Sequence, residues 1–161
     1  MKRLILFYSL NGSTRAAAQK LAAQLGADVF EIRPRKPMPQ GRASQILYGG
    51  MLCTFGFCPP LAETPPAADG YDEIILGTPV WAGKCAAPVK TLLRQTELRP
   101  KITSVFTFSG SGDDSGCLKQ LRPMLPSLRH TAALLDPSAP QASENDEKLS
   151  ALASAISAHV G

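Results

Sequence analysis

The residues best equipped for chemistry form one short stretch, Ser9-Leu10-Asn11-Gly12-Ser13-Thr14. It follows Leu4-Ile5-Leu6-Phe7, an apolar run with the composition of a buried strand. It precedes Arg15 to Leu25, which is rich in the helix formers Ala, Gln, Lys and Leu. A strand that turns through small hydroxyl residues straight into a helix makes an anion site. The first N–H groups of the helix lack intrahelical partners, and the aligned peptide dipoles add partial positive charge. A phosphate is the natural occupant. Ser9, Asn11, Ser13 and Thr14 offer further donors, and Gly12 lets the backbone come close. The same residues also suit an ordinary strand–turn–helix junction capped by Ser13. The spacing matches neither the GxGxxG dinucleotide fingerprint nor the GxxxxGKS/T loop of ATP sites.

Two later stretches have the same strand-to-small-residue character. Gly77-Thr78-Pro79-Val80-Trp81-Ala82-Gly83 follows the apolar run Ile74-Ile75-Leu76. Pro79 stiffens this turn, Gly83 permits unusual dihedrals, and Trp81 offers a flat face for stacking or a large core side chain. Ser109-Gly110-Ser111-Gly112-Asp113-Asp114-Ser115-Gly116 follows a fourth apolar run. Alone, it reads as a flexible Gly/Ser turn before a helix, capped by Asp114 or Ser115.

The elements that must position these loops alternate. Strands are expected over Arg3–Tyr8, Asp28–Ile32, Asp72–Gly77, Lys101–Phe108 and Arg129–Leu135. Helices are expected over Ser13–Leu25, Cys85–Thr96, Gly116–Arg122 and Ser143–Val160, the last with Leu149, Leu152, Ile156 and Val160 at helical spacing. This alternation predicts a three-layer α/β fold with a doubly wound, five-stranded parallel sheet. Between Pro34 and Pro66 seven prolines break regular structure around an apolar stretch from Ser44 to Phe57. A short packed helix over Ala43–Leu52 is expected there, inside an irregular insertion.

With Ser9-x-Asn11-Gly12-x-Thr14, the Thr78–Gly83 loop and the Ser109–Asp113 loop each placed after its strand, the chain resembles the flavodoxin family. The resemblance implies strand order 2-1-3-4-5, with a ligand crevice at the switch point between strands one and three. It implies FMN, held by its phosphate at Ser9, Asn11, Gly12, Ser13 and Thr14. The ring would lie against Thr78, Pro79, Val80, Trp81, Ala82 and Gly83 and against Ser109, Gly110, Ser111, Gly112 and Asp113. Many shuttle flavodoxins add an aromatic residue in the third loop, and this chain has none. The second ring face is then covered by the 34–66 insertion, for instance through Tyr48, Phe55 or Phe57, or by a second subunit in a homodimer, or is left open to a donor or a quinone. Lys84, if turned toward the ring, would favour its reduced anion.

The implied function is electron transfer, or NAD(P)H-dependent reduction of small acceptors such as quinones, without a side-chain nucleophile or general base. The alternative is a flavodoxin-like domain that has lost its flavin and serves as a protein-interaction module. Shuttle flavodoxins are usually acidic, whereas this chain carries a formal charge of +4. That departure favours an enzyme over a carrier.

Length and composition set the frame. The 161 residues suit a single domain that buries enough surface to fold without staples. No apolar run approaches the ~20 residues of a membrane span, and the apolar N-terminus is too short for a signal peptide. A cytoplasmic protein with no membrane partner is expected. The basic cluster Arg33–Lys36 is broken by Pro34 and lacks interleaved aromatics, so no nucleic-acid partner is expected either. Cys53, Cys58, Cys85 and Cys117 form no CxxC pair, and His130 and His159 stand apart. Free thiols and no metal site follow.

Overall fold

A computed structural model describes residues 1–159. Five strands make one parallel sheet in the order β2-β1-β3-β5-β6. They are β1 (Arg3–Phe7), β2 (Asp28–Glu31), β3 (Glu73–Trp81), β5 (Ile102–Ser109) and β6 (His130–Leu135). The remaining strand, β4 (Lys84–Cys85), pairs antiparallel with the end of β3. Counted without that hairpin, the order is the expected 2-1-3-4-5. In register, Ile5 of β1 lies between Val29 of β2 and Ile75 of β3.

Side chains alternate along each strand and so serve both layers. Leu4, Leu6, Ile74 and Leu76 face α3 (Ala87–Leu92) and α4 (Ser115–Leu121), meeting Val89, Leu92 and Leu121. Ile5, Phe7, Ile75 and Phe106 face α1 (Ser13–Leu25) and α5 (Asn145–Ala158), meeting Ala18, Leu21, Leu152 and Ile156. Burial on both faces is the signature of a parallel sheet with helices on each side. Gly77 leaves the room for Phe106, whose ring occupies the position a Cβ would take.

The helix α2 (Arg42–Thr54) rises from the 34–66 insertion and runs slightly longer than the expected 43–52. The insertion follows β2, and its two ends meet outside the sheet at an isolated antiparallel bridge between Pro34 and Leu61. Its ends are clasped by Arg35 N–H to Pro60 O and Ala62 N–H to Arg33 O, both 2.8 Å.

Two expectations are corrected. The helix expected from Cys85 begins only at Ala87 and ends at Leu92, because Lys84 and Cys85 are drawn back along Trp81 and Val80. The final helix starts at Asn145 after a 3₁₀ turn over Ala142–Glu144; Val160 lies outside the described residues.

Candidate functional site

The loop after β1 is tied down by its own side chains. Ser9, nearly buried, accepts the Gly12 N–H on Oγ at 3.0 Å. Asn11 Oδ1 accepts the Ser13 N–H at 3.3 Å and the Ser13 hydroxyl at 3.0 Å. Gly12 caps α1 with φ 98°, a left-handed conformation that a side chain would strain. The first α1 bond is Ala16 N–H to Gly12 O at 2.9 Å. The N–H groups of Thr14 and Arg15 therefore find no acceptor among the described residues. They stay available at the positive end of a thirteen-residue helix. The Arg15 guanidinium turns aside to Glu31, with bonds of 2.9 and 2.6 Å. Arg15, chiefly by hydrogen bonding, holds Glu31 below the usual carboxylate range.

The loop after β3 is a hairpin. Ala82 (φ 48°) and Gly83 (φ 73°) are both left-handed, as a two-residue type I′ turn requires. Thr78, fully buried, holds this turn from below: its hydroxyl accepts the Ala86 N–H at 3.1 Å and donates to Pro79 O at 2.9 Å. The Trp81 ring meets the edge of Tyr8, with centroids 5.4 Å apart. On another side it packs against Gly49 of α2, where a Cβ would stand 3.2 Å from the indole. Burial, and secondarily the Glu31 charge, pushes the Tyr8 phenol far above its ordinary pKa.

The loop after β5 is braced in turn. The Thr107 hydroxyl donates to Asp114 Oδ2 at 2.9 Å. Asp113 Oδ1 accepts the Ser115 N–H at 2.9 Å and its hydroxyl at 2.6 Å, and the Ser115 hydroxyl foremost lowers the Asp113 pKa. Gly116, opening α4, lies against the hairpin so closely that a Cβ there would stand 2.6 Å from Gly83 O. The second and third loops thus touch backbone to backbone.

All three loops border one cavity of about 570 Å³, within the usual ~300–1,000 Å³ of small-molecule sites. Asn11, Ser13 and Thr14 line it from the first loop, Pro79, Val80, Trp81 and Ala82 from the second, and Ser109 and Gly110 from the third. Ser9, Gly12 and Thr78 stand behind that lining as supports. Gly83, Ser111, Gly112 and Asp113 also lie off the wall, as does exposed Lys84.

Residues outside the three loops complete the enclosure: Arg42, Gln45, Ile46, Gly49 and Gly50 of α2, and Asp136 and Ser138 after β6. Of the insertion, these α2 residues line the cavity, while Tyr48, Phe55 and Phe57 do not. One sequence signal could have marked them. A Gly-Gly pair inside a helix costs roughly 1 kcal/mol per residue relative to Ala, so it demands a packing reason. For Gly49 the reason is the Trp81 ring; a side chain at Gly50 would meet nothing within 4 Å.

The cavity suits a flat ligand ending in an anion. The N–H groups of Thr14 and Arg15, unpaired among the described residues, join the Thr14 hydroxyl at the start of α1. Val80, Trp81 and Phe108 give apolar surface further along, and backbone amides of a Gly-rich turn border it at Ser109–Gly110. The nearby thiols are unsuited to chemistry. Cys85 is pushed up to about 12 and Cys117 higher still, each mainly by burial.

The chain is similar to known proteins. The family described as NADPH-dependent FMN reductase matches residues 1–144. A Rhizobium meliloti (strain 1021) protein named NAD(P)H dehydrogenase (quinone) 3 is 35% identical over 120 residues, covering 68% of this chain and 54% of the relative. The chain thus spans about half the length of that curated relative. A flavoprotein from Lactobacillus acidophilus NCFM, solved in complex with FMN, superposes with a TM-score of 0.69 at 24% identity, over 91% of this chain and 97% of that one. A flavodoxin from the domain Archaea gives 0.56 at 15% identity, over 98% and 99%. At these identities the two solved structures show a common fold.

Proposed function

The chain belongs to the NADPH-dependent FMN reductase family, and from that premise we propose that it is an NAD(P)H-dependent oxidoreductase that reduces small acceptors such as quinones. FMN is its cofactor. The observation that carries the reading is the meeting, on one cavity wall, of a helix start with free N–H groups and the turns that follow β3 and β5. FMN held there would supply the redox chemistry, a hydride acceptor for NAD(P)H and an electron source for a second acceptor.

The residues of the chain bind and orient. The N–H groups of Thr14 and Arg15 and the hydroxyl of Thr14 would grip the phosphate. Trp81, held by Tyr8 and Gly49, gives the ring site a fixed apolar wall. The Ser109–Gly110 backbone would meet the polar edge of the ring. Helix α2 shields this side from water and leaves the rest of the opening to donor and acceptor. The kinship to a quinone dehydrogenase and the absence of an aromatic residue from the third loop both favour a reductase over a shuttle.

The test has two stages. FMN should bind at least tenfold tighter than riboflavin, a gap of about 1.4 kcal/mol from the phosphate, and Thr14→Val should narrow it. NADPH or NADH added anaerobically should then bleach the bound flavin, and a benzoquinone should restore its colour. A protein that binds FMN but stays yellow with both nucleotides is a carrier, and the reductase reading fails.

A further inference from the structure

The full chain has 17 Lys and Arg against 13 Asp and Glu. Residues 33–62 hold four of the basic residues, Arg33, Arg35, Lys36 and Arg42, and no acidic one. That leaves thirteen of each sign elsewhere, so the whole net charge of +4 sits in this one excursion. All four of these side chains are exposed. Only Arg33 has an anionic partner, Glu31 at 3.3 Å, which Arg15 already shares.

The same excursion holds most of the misplaced apolar surface. Eight large hydrophobic residues are exposed among the described residues, and all but Met1 and Val29 lie between Ile46 and Phe57. Helix α2 is turned inside out. Its inner face offers Gly49, Leu52 and Cys53 to Ala87 and Trp81. Its outer stripe is Leu47, Met51 and Phe55, four residues apart, with Leu47 77% and Phe55 72% exposed. Phe57 continues the stripe beyond the helix end, beside Lys90, whose Nζ reaches Gly56 O at 3.5 Å.

An outward apolar stripe flanked by cations and free of acids is the composition of an element that lies in a lipid interface. We infer that the clasped excursion 33–62 docks the protein on the surface of an anionic bilayer. Leu47, Met51, Phe55 and Phe57 enter the boundary of headgroups and acyl chains, while Arg35 and Lys36 rest against lipid phosphates. Charge separates this occupant from a second copy. Two copies meeting through this face would bring their whole net charges together, whereas an anionic surface attracts each one. The docking is peripheral, since no helix among the described residues is long and apolar enough to cross a membrane. Because Ile46 borders both the stripe and the cavity, the docked face lies at the cavity rim. The surface stands whether or not FMN fills that cavity.

The experiment is flotation of the full chain with vesicles of phosphatidylcholine alone or with phosphatidylglycerol, paired with sedimentation velocity of the free protein. The protein should float with the anionic vesicles, release as salt is raised, and ignore the neutral ones. Replacing Arg35 and Lys36 by Gln should weaken binding about 25-fold, at roughly fivefold per charge. Leu47→Ser with Phe55→Ser should abolish flotation, and because these side chains touch solvent, the variant keeps its fold by circular dichroism. Three results would overturn the inference: no flotation, flotation that survives the Leu47/Phe55 exchange, or a dimer in free solution that this exchange breaks.

Discussion

At the scale of single residues, the site depends on contacts that leave no room for a methyl group. Gly116 is the sharpest case. Its neighbour is the Gly83 carbonyl, a backbone atom on a hairpin already committed to left-handed dihedrals at Ala82 and Gly83. The hairpin cannot yield by rotating a side chain. Gly116→Ala must push the Trp81–Gly83 turn away from α4, at the ~1–3 kcal/mol typical of overpacking. Trp81 and Ala82 ride on that turn and line the cavity, so the loss reaches the ligand. Urea unfolding should show the destabilisation, and titration of the apoprotein with FMN, followed by flavin fluorescence, should show weaker binding. Wild-type values in both measurements would mean that the two loops do not constrain each other. Thr78 makes the complementary point. Its sequence position beside Pro79 suggests a ligand contact, yet its hydroxyl is consumed by Ala86 N–H and Pro79 O.

At the scale of elements, the third side of the cavity hangs on one asparagine. Asn145, first residue of α5, donates from Nδ2 to Leu135 O at 2.7 Å and accepts the Leu135 N–H on Oδ1 at 2.9 Å. This paired bond splices the start of α5 to the end of β6, just before Asp136 and Ser138 join the cavity wall. Asn145→Ala removes both bonds and strands two backbone groups, a loss of about 2–3 kcal/mol. Asn145→Asp keeps one acceptor and should recover part of it; chemical denaturation of the three proteins gives the order. Equal stability of the Ala and Asp variants would show that the Leu135 N–H bond contributes nothing. Such splices are invisible in sequence, because they join residues whose contact is decided only once strand and helix are packed. Strands were legible for the opposite reason. Leu4-Ile5-Leu6-Phe7 and Ile74-Ile75-Leu76 are apolar throughout, as only a sheet covered on both faces requires. The loops after β1, β3 and β5 were legible because turn chemistry is local. The β3–β4 hairpin was hidden because Ala82, unlike Asn, Asp or Gly, does not announce a left-handed turn. The α2 wall was hidden because most of its large apolar residues point outward and its contact with Trp81 is made by a glycine.

At the scale of the whole molecule, the sheet and its helices unfold together, so groups buried far apart act on one stability. Cys85 and Cys117 lie in the layer of α3 and α4, and burial raises both thiols, Cys85 to about 12. Burial also raises Cys53 and Tyr8. In the unfolded chain a thiol releases its proton near pH 9.0, the ordinary value. Above that pH the unfolded state binds fewer protons than the native one, which fixes the sign: stability falls as pH rises, until the folded thiols themselves ionise. Each such group steepens the fall by up to about 1.4 kcal/mol per pH unit, so Cys85 and Cys117 together approach ~3, against a typical total of ~5–15 kcal/mol. Urea midpoints measured under reducing conditions should therefore hold steady up to about pH 9 and drop steeply between about pH 9 and 11. The Cys85→Ala/Cys117→Ala protein starts lower, because it loses packed sulfur, but its profile should be flatter by the share of two thiols, with Cys53 and Tyr8 keeping the remainder. The slope decides the matter, since a packing defect lowers every point alike while a lost titration changes only the alkaline limb. Parallel curves for the two proteins would mean that these thiols ionise as easily folded as unfolded, and that the layer between sheet and α3 is open to water.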